Sequence, residues 1–121
     1  MKLYQNLQIY KDKRGIIQDL LPEGAVKSVQ LITGEKGAER GKHYHKKDVH
    51  YCYILSGKIR YFFSFGDENP EFIDLKVGDC VANEPLEKHK FVFLAKGSFI
   101  AMAIKERSQA NYEKDVVRVD Y

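Results

Sequence analysis

The four histidines are the residues of this 121-residue chain whose types and spacing suit chemistry best. His43 and His45 are two positions apart, and on an extended strand such a pair projects from one face. His50 opens an aromatic run further along, and His89 precedes Phe91 on an alternating segment. Imidazole binds Zn, Cu, Fe and Ni, and it also takes up and releases protons near neutral pH. The pattern indicates a metal centre or a proton-transfer site, and the alternative is a set of hydrogen-bonded core histidines.

Basic residues are locally in excess around the first two histidines. They are Lys36, Arg40, Lys42, Lys46 and Lys47. The net charge of the whole chain is only +3, and both signs are mixed along most of the sequence. A general nucleic-acid binder is therefore not indicated. The cluster is interpreted either as a solvated loop or as a means of attracting an anionic ligand to a nearby site.

Short strands are expected to position these residues, because the hydrophobic pattern is mainly that of β-structure. The predicted strands are Ala25–Thr33, His50–Leu55, Lys58–Phe65, Phe72–Val77, Cys80–Asn83, Lys88–Leu94, Ser98–Lys105 and Val116–Val119. Ser56 and Gly57 predict a tight hairpin turn, and Ser108–Asp115 indicates one turn of helix. Many short strands with frequent turn signals favour an all-β sandwich or barrel.

Length and composition are those of one globular domain, residues 1–121. Hydrophobic residues make up 44% and charged residues 31%, which excludes a disordered or coiled-coil chain. Neither a membrane-spanning apolar run nor a signal peptide is recognisable, so no membrane partner is expected. Cys52 and Cys80 belong to no CxxC pair, and a reducing, cytoplasmic location is therefore predicted.

Two segments resemble the two motifs of the cupin superfamily. Residues 37–57 (GAERGKHYHKKDVHYCYILSG) are similar to the first motif, in which a glycine, HxH, a glutamate and a second glycine follow one another. Gly78, Pro85 and His89 are similar to the glycine, proline and histidine of the second motif. The resemblance implies a double-stranded β-helix, the cupin jelly-roll barrel. One position departs from the family, because His50 stands where cupins have the glutamate.

The cupin resemblance also implies a divalent transition metal ion. His43, His45 and His89 are its expected ligands, with His50 as a fourth ligand or next to the site. A set of imidazoles carries no ligand charge, which favours Zn, Ni, Fe or Cu over hard ions. Cys52 follows His50 by two positions and is predicted to share its inward face, either as a buried structural thiol or as a further ligand.

A narrower resemblance points to the sugar-nucleotide cupins. The run RGKHYHKK at 40–47, preceded by DKRGII at 12–17, is similar to dTDP-sugar 3,4-ketoisomerases and dTDP-4-dehydrorhamnose 3,5-epimerases. It implies an isomerase or epimerase that acts on a nucleotide-linked keto sugar in polysaccharide precursor synthesis. His43 and His45 would then be its catalytic acid and base. The residues predicted to hold the substrate, and above all its diphosphate, are Arg40, Lys42 and Lys46.

Two further functions stay open at this point. A metal-dependent cupin with a small-molecule-binding, regulatory or oxidative (dioxygenase-like) role is favoured by the four-histidine set. A metal-free barrel that holds a small ligand is the third possibility, so the sequence alone does not decide whether the chain is an enzyme. A homodimer is expected, because the strand-like segments Met1–Tyr10 and Val116–Tyr121 would otherwise leave unpaired edges.

Overall fold

The regular structure is almost entirely β-sheet in the residues that the computed structural model describes, 1–105 and 114–120. The strands found there are β1 (Lys2–Tyr4), β2 (Ile9–Asp12), β3 (Gly15–Gln18), β4 (Ser28–Gly34), β5 (Glu39–His45), β6 (His50–Ser56), β7 (Ile59–Phe65), β8 (Glu71–Leu75), β9 (Cys80–Asn83), β10 (Glu87–Phe93), β11 (Gly97–Ala103) and β12 (Val116–Arg118). Lys114 and Asp115 are helical directly before β12, and the rest of the predicted helical turn lies outside the described residues. No helix within these ranges is long and apolar enough to cross a membrane.

Two five-stranded antiparallel sheets form the two layers of a barrel. One has the strand order β1-β9-β6-β11-β4, and the other has the order β12-β5-β10-β7-β8. From β4 to β7 and again from β8 to β12, successive strands alternate between the two sheets, which is the winding of a double-stranded β-helix. The predicted all-β jelly-roll barrel is therefore confirmed.

The core lies between the two sheets and is built from alternate residues of each strand. In β10, Glu87, His89, Phe91 and Phe93 are buried, while the residues between them are half-buried. The ring of Phe91 stacks on Phe99 of β11 in the other sheet, with 4.5 Å between centroids. Burying each such side chain contributes about 1.5–3 kcal/mol. His89 thus faces the interior with the phenylalanines, as the alternating pattern predicts.

The turn at Ser56 and Gly57 corrects one prediction. It is as tight as expected: Gly57 has φ +82, and a Cβ there would lie only 2.7 Å from the carbonyl oxygen of Lys96. However, β6 pairs with β9 and β11, whereas β7 pairs with β8 and β10. The turn therefore carries the chain from one sheet to the other and does not close a hairpin.

The hairpin of β2 and β3 was not predicted as such. Tyr10 is paired with Ile17 and Lys11 with Ile16, in a third sheet that contains these two strands. The run Lys11–Arg14 places four charged residues at the end of the hairpin and hides the alternation of a strand. Both isoleucines are more than half exposed.

Candidate functional site

Three histidines converge between β5 and β10. His43 and His45 project from one face of β5, and His89 lies directly opposite His43 on β10. The ring centroid of His43 is 4.8 Å from that of His45 and 4.7 Å from that of His89. One ring nitrogen from each residue lies within 4.8 Å of the other two. The i, i+2 spacing and the second motif thus single out residues that the fold brings together.

A β-bulge at Gly41 and Lys42 sets the direction of the histidine pair. His89 is opposite His43 while Lys90 is opposite Gly41, so Lys42 is the extra residue. Gly41 has φ +93, and a Cβ there would lie 3.0 Å from the carbonyl oxygen of His89. Lys42 has φ +59, a left-handed conformation that costs a non-glycine residue about 1–2 kcal/mol. Bulges of this kind redirect side chains next to functional sites.

An aspartate from the far end of the chain holds His45. Asp115 Oδ2 lies 3.3 Å from His45 Nδ1, and His45 is only 1% exposed. The same carboxylate accepts hydrogen bonds from the backbone N–H groups of Lys47 and Asp48, at 2.8 and 3.3 Å. Asp115 therefore fixes both the imidazole and the loop that follows β5. No local pattern in the sequence points to Asp115.

His50 lies beside the three histidines and is bound to a different carboxylate. Its Nε2 is 2.9 Å from Asp48 Oδ2, and its ring centroid is 4.1 Å from that of His45. Asp48 Oδ1 in turn accepts the backbone N–H groups of Val49 and Lys105. Among the described residues, the group whose ring nitrogens converge contains the other three histidines and not His50.

His89 is held in one tautomer by its surroundings. Its Nδ1 donates to the backbone carbonyl oxygen of Glu87 at 3.0 Å, so Nε2 is left as the acceptor. Burial, with a smaller contribution from the neighbouring His43, lowers the pKa of His89 to about 3. The ring is therefore uncharged at neutral pH, and its Nε2 lone pair is available to a metal ion or to a hydrogen-bond donor.

An open cavity of about 630 Å³ lies alongside the histidines. Its polar lining residues are Gln30, Arg40, His43, His50, Asn83, His89 and Arg118. Its other lining residues are Leu31, Ile32, Gly41, Cys52, Phe91, Phe99 and Ala101. A cleft with mixed apolar and precisely placed polar walls is typical of a small-molecule site.

The three basic residues predicted to bind substrate are placed differently. Arg40 lines the cavity, and its guanidinium donates to the carbonyl oxygen of Thr33 at 2.9 Å. Lys42 forms an ion pair of 3.2 Å with Glu39. Lys46 is exposed, and neither lysine is among the described residues that line the cavity.

Arg118 is a lining residue that the sequence analysis missed. It lies on β12, directly opposite His43 on β5. The sequence predicted a strand over this segment, but it gave no sign that the strand borders the histidines. Two arginines, Arg40 and Arg118, thus line the cavity. Guanidinium groups bind phosphate through paired hydrogen bonds.

Known structures share this architecture, although no protein-family model and no curated protein sequence matches the chain. The 3,4-ketoisomerase QdtA from Thermoanaerobacterium thermosaccharolyticum in complex with TDP has a TM-score of 0.81 at 23% identity, over 99% of this chain and 88% of that one. A variant of QdtA in complex with TDP-4-keto-6-deoxyglucose has a TM-score of 0.80 at 22% identity, over 97% of this chain and 86% of that one.

Two further solved structures share the fold. The TDP-quinovose 3,4-ketoisomerase WlaRB from Campylobacter jejuni has a TM-score of 0.77 at 22% identity, over 93% of this chain and 94% of that one. The dTDP-4-dehydrorhamnose 3,5-epimerase from Sulfolobus tokodaii has a TM-score of 0.73 at 15% identity, over 94% of this chain and 74% of that one. The structural neighbours are thus sugar-nucleotide ketoisomerases and epimerases with the cupin-type barrel, and the resemblance found in the sequence is confirmed.

Proposed function

We propose that this protein is a sugar-nucleotide isomerase or epimerase that acts on a nucleotide-linked keto sugar, in polysaccharide precursor synthesis. The observation that carries the proposal is the cavity in which two histidines of the converging cluster, His43 and His89, share a wall with Arg40 and Arg118. The fold supports it, because structures of the same architecture are ketoisomerases and epimerases of TDP-sugars.

The two arginines are assigned to the diphosphate of the substrate. A nucleoside diphosphate sugar is an anion, and the charge-assisted hydrogen bonds of a guanidinium group suit its phosphate oxygens. With the diphosphate held by Arg40 and Arg118, the sugar reaches the histidines. Arg118 is therefore the residue assigned to bind the diphosphate together with Arg40, and Lys42 and Lys46 are not.

His43 is assigned to proton transfer, because it is the member of the HxH pair that lines the cavity. A keto sugar loses a proton from the carbon next to its carbonyl, and the electron pair moves onto the carbonyl oxygen to give an enediolate. A proton then returns to the former carbonyl carbon, and the proton of the neighbouring hydroxyl moves to the former carbonyl oxygen, which gives the isomeric ketone. Imidazole is suited to both transfers, because its unperturbed pKa lies near neutrality. His45, held by Asp115 next to His43, is its acid–base partner.

The direct test is conversion of candidate substrates, followed by NMR. A panel of TDP- and UDP-linked 4-keto sugars is incubated with the purified protein, and the free nucleotides are titrated in parallel. We expect one sugar to isomerise or epimerise and its nucleotide to bind. If no sugar is converted and no nucleotide binds, the proposal is wrong, and the metal-binding alternative becomes the leading one.

A metal-dependent cupin is the second candidate function, and the converging nitrogens of His43, His45 and His89 favour it. Neutral imidazoles are the donors that Zn, Ni, Fe and Cu accept. Zinc–nitrogen bonds of about 2.0–2.1 Å place tetrahedral ligand atoms about 3.3 Å apart, so the present spread of up to 4.8 Å would have to shorten. A bound ion would polarise a substrate carbonyl or support an oxidative reaction.

Metal analysis of the protein as purified tests this second candidate. If this candidate is right, the wild type carries about one transition-metal ion per chain, and the variants His43→Ala and His89→Ala lose that ion. The His50→Ala variant shows whether this residue is a fourth ligand, because it would lower metal content only in that case. Metal content that is the same in the wild type and in the first two variants would place the ion elsewhere.

We further propose a homodimer and a cytoplasmic location. The hairpin of β2 and β3 exposes Ile9, Tyr10, Ile16 and Ile17, and a two-stranded hairpin without cover is marginally stable in water. The edge strand β4 of the first five-stranded sheet exposes Val29, so one chain carries both an uncovered hairpin and an apolar edge to receive it. A second copy of the chain would cover both the hairpin and the edge strand. The buried thiols Cys52 and Cys80 are free, which agrees with a reducing compartment.

A further inference from the structure

A buried chain of hydrogen bonds lies next to the histidines and ends at the cavity wall. Tyr61 is fully buried, and its hydroxyl lies 2.5 Å from Glu87 Oε2 and 2.7 Å from Asn83 Nδ2. Asn83 is 1% exposed and Glu87 is fully buried. Only Asn83 of the three lines the cavity, so it is the end of the chain that a ligand would meet.

The direction of these hydrogen bonds follows from the chemistry of the groups. The Tyr61 hydroxyl donates to Glu87 Oε2. The Tyr61 oxygen is then left to accept, and Asn83 must present its NH₂ group to it. The Asn83 amide therefore has one orientation, in which Oδ1 lies on the side of the Cys52 thiol, 3.7 Å away.

The fixed amide keeps hydrogen-bonding capacity beyond these two contacts. An asparagine side chain has two donors and two acceptor sites. Among the described residues, Tyr61 takes one donor and Cys52 takes one acceptor site, weakly. Asn83 is directly opposite His50 in the pairing of β9 with β6, and side chains paired in this way lie about 4.5–5.5 Å apart. Asn83 thus lies next to the histidines, and its remaining donor and acceptor belong to a residue of the cavity wall.

We propose that Asn83 is a specificity-determining residue that hydrogen-bonds an oxygen of the sugar half of the substrate. Tyr61 and Glu87 are positioning residues, because they hold the amide in the orientation that this contact needs. The inference rests on the proposed function and adds a division of labour to it. The arginines hold the diphosphate, and Asn83 reads a hydroxyl or carbonyl oxygen of the sugar. A neutral amide suits this task, because it offers both a donor and an acceptor without the desolvation cost of a charge.

Calorimetric titrations with two probes test the assignment. TDP lacks the sugar and TDP-4-keto-6-deoxyglucose carries it, so Asn83→Ala should change the two binding affinities by different amounts. We expect the variant to weaken binding of the sugar nucleotide about tenfold, as the loss of one good hydrogen bond predicts, and to change TDP binding by less than about twofold. Equal weakening of both probes, or no change in either, would overturn the inference.

A second variant keeps the test independent of how well Asn83→Ala folds. Tyr61→Phe keeps the ring that lies 6.1 Å from the ring of His89 and removes only the hydroxyl that orients the amide. Tyr61→Phe should also weaken binding of the sugar nucleotide more than binding of TDP. An equal loss of affinity for the two probes contradicts the positioning role. Tyr53→Phe is the matched control, because it removes a hydroxyl that donates to Gln18 away from the cavity lining and should leave the ratio of the two affinities unchanged. If wild-type protein binds neither probe, the proposed function itself fails and this inference falls with it.

Discussion

Single residues supply the cavity with two kinds of chemical group, guanidinium and imidazole. Arg40 and Arg118 supply the positive charge, and His43, His50 and His89 supply the imidazoles. Asp48 and Asp115 hold His50 and His45 from outside the cavity lining. Such outer carboxylates fix the orientation and tautomer of the imidazoles they contact, whether the imidazoles transfer protons or bind a metal ion.

Arg118→Ala should weaken nucleotide binding, because it removes a guanidinium group from the cavity wall. A hydrogen bond to a charged group contributes about 1.5–3 kcal/mol, so we expect a loss of TDP affinity of at least about tenfold. Titration calorimetry with TDP measures it.

Lys42→Ala is the matched control for this variant. Lys42 is also a cation near His43 in sequence, but it is paired with Glu39 and does not belong to the described cavity lining. The affinity of the Lys42→Ala variant for TDP should stay within about twofold of that of the wild type. A larger loss from Lys42→Ala than from Arg118→Ala would contradict the assignment of the second cation.

The residues of the site differ in how far the sequence reveals them. His43 and His45 are recognisable from local spacing and His89 from a motif, because each signal lies within a few neighbouring positions. Arg118 reaches the cavity only because β12 pairs with β5, and Asp115 reaches His45 by the same pairing. Contacts of this kind depend on strand pairing between distant segments, which a single sequence does not encode in any local pattern.

Among the elements, tight glycine turns carry the chain between the two sheets. Gly57 and Gly78 have φ values of +82 and +94, which other residues rarely adopt. At Gly57 a Cβ would lie 2.7 Å from the carbonyl oxygen of Lys96, whereas at Gly78 a Cβ would have no heavy atom within 4 Å. The two positions share the backbone conformation and differ in the space around it.

Gly57→Ala should therefore destabilise the protein more than Gly78→Ala. The left-handed conformation alone costs about 1–2 kcal/mol in each variant. Forcing a methyl group against backbone at Gly57 adds about 1–3 kcal/mol. Urea unfolding monitored by circular dichroism measures the difference, and equal losses in the two variants would show that the approach of Lys96 to this turn is not tight.

The strands themselves were largely predictable, and their pairing was less so. The prediction Cys80–Asn83 coincides with β9, and Lys88–Leu94 differs from β10 by one residue at each end. Alternation is a local signal that explains the agreement for β10, whereas β9 is buried throughout and is recognisable from the turn residues Gly78 and Pro85 that flank it. The turn at Ser56 and Gly57 was mistaken for a hairpin because a tight turn has the same composition whether its strands pair or separate.

At the scale of the whole molecule, the exposed apolar side chains on the hairpin of β2 and β3 are the feature that fits a monomeric state least. Its cross-strand pair of Tyr10 and Ile17 is 68% and 71% exposed. Exposed apolar groups of this size on a two-stranded element indicate an interface. The homodimer proposed above buries them against a second copy.

Ile17→Asp should convert the dimer to a monomer, because the interface would then have to bury an unpaired charge. Light scattering after size-exclusion chromatography measures the mass against the 14.0 kDa of one chain. Val77→Asp is the control, since Val77 is 58% exposed and lies outside the hairpin, and this variant should stay dimeric. A wild-type protein that is monomeric at micromolar concentration, or an Ile17→Asp variant that is still a dimer, would refute the proposed interface.

The central claim is that the histidine cluster moves a carbon-bound proton of a nucleotide-linked keto sugar. The measurement that tests it most directly is deuterium exchange in D₂O, followed by proton NMR, at the carbon next to the carbonyl of TDP-4-keto-6-deoxyglucose. The account predicts that the signal disappears with wild-type protein and that His43→Asn slows its loss by at least about a hundredfold, as expected when a general acid–base group is removed. Exchange at equal rates in wild type and variant, or no exchange above the protein-free rate, would contradict it.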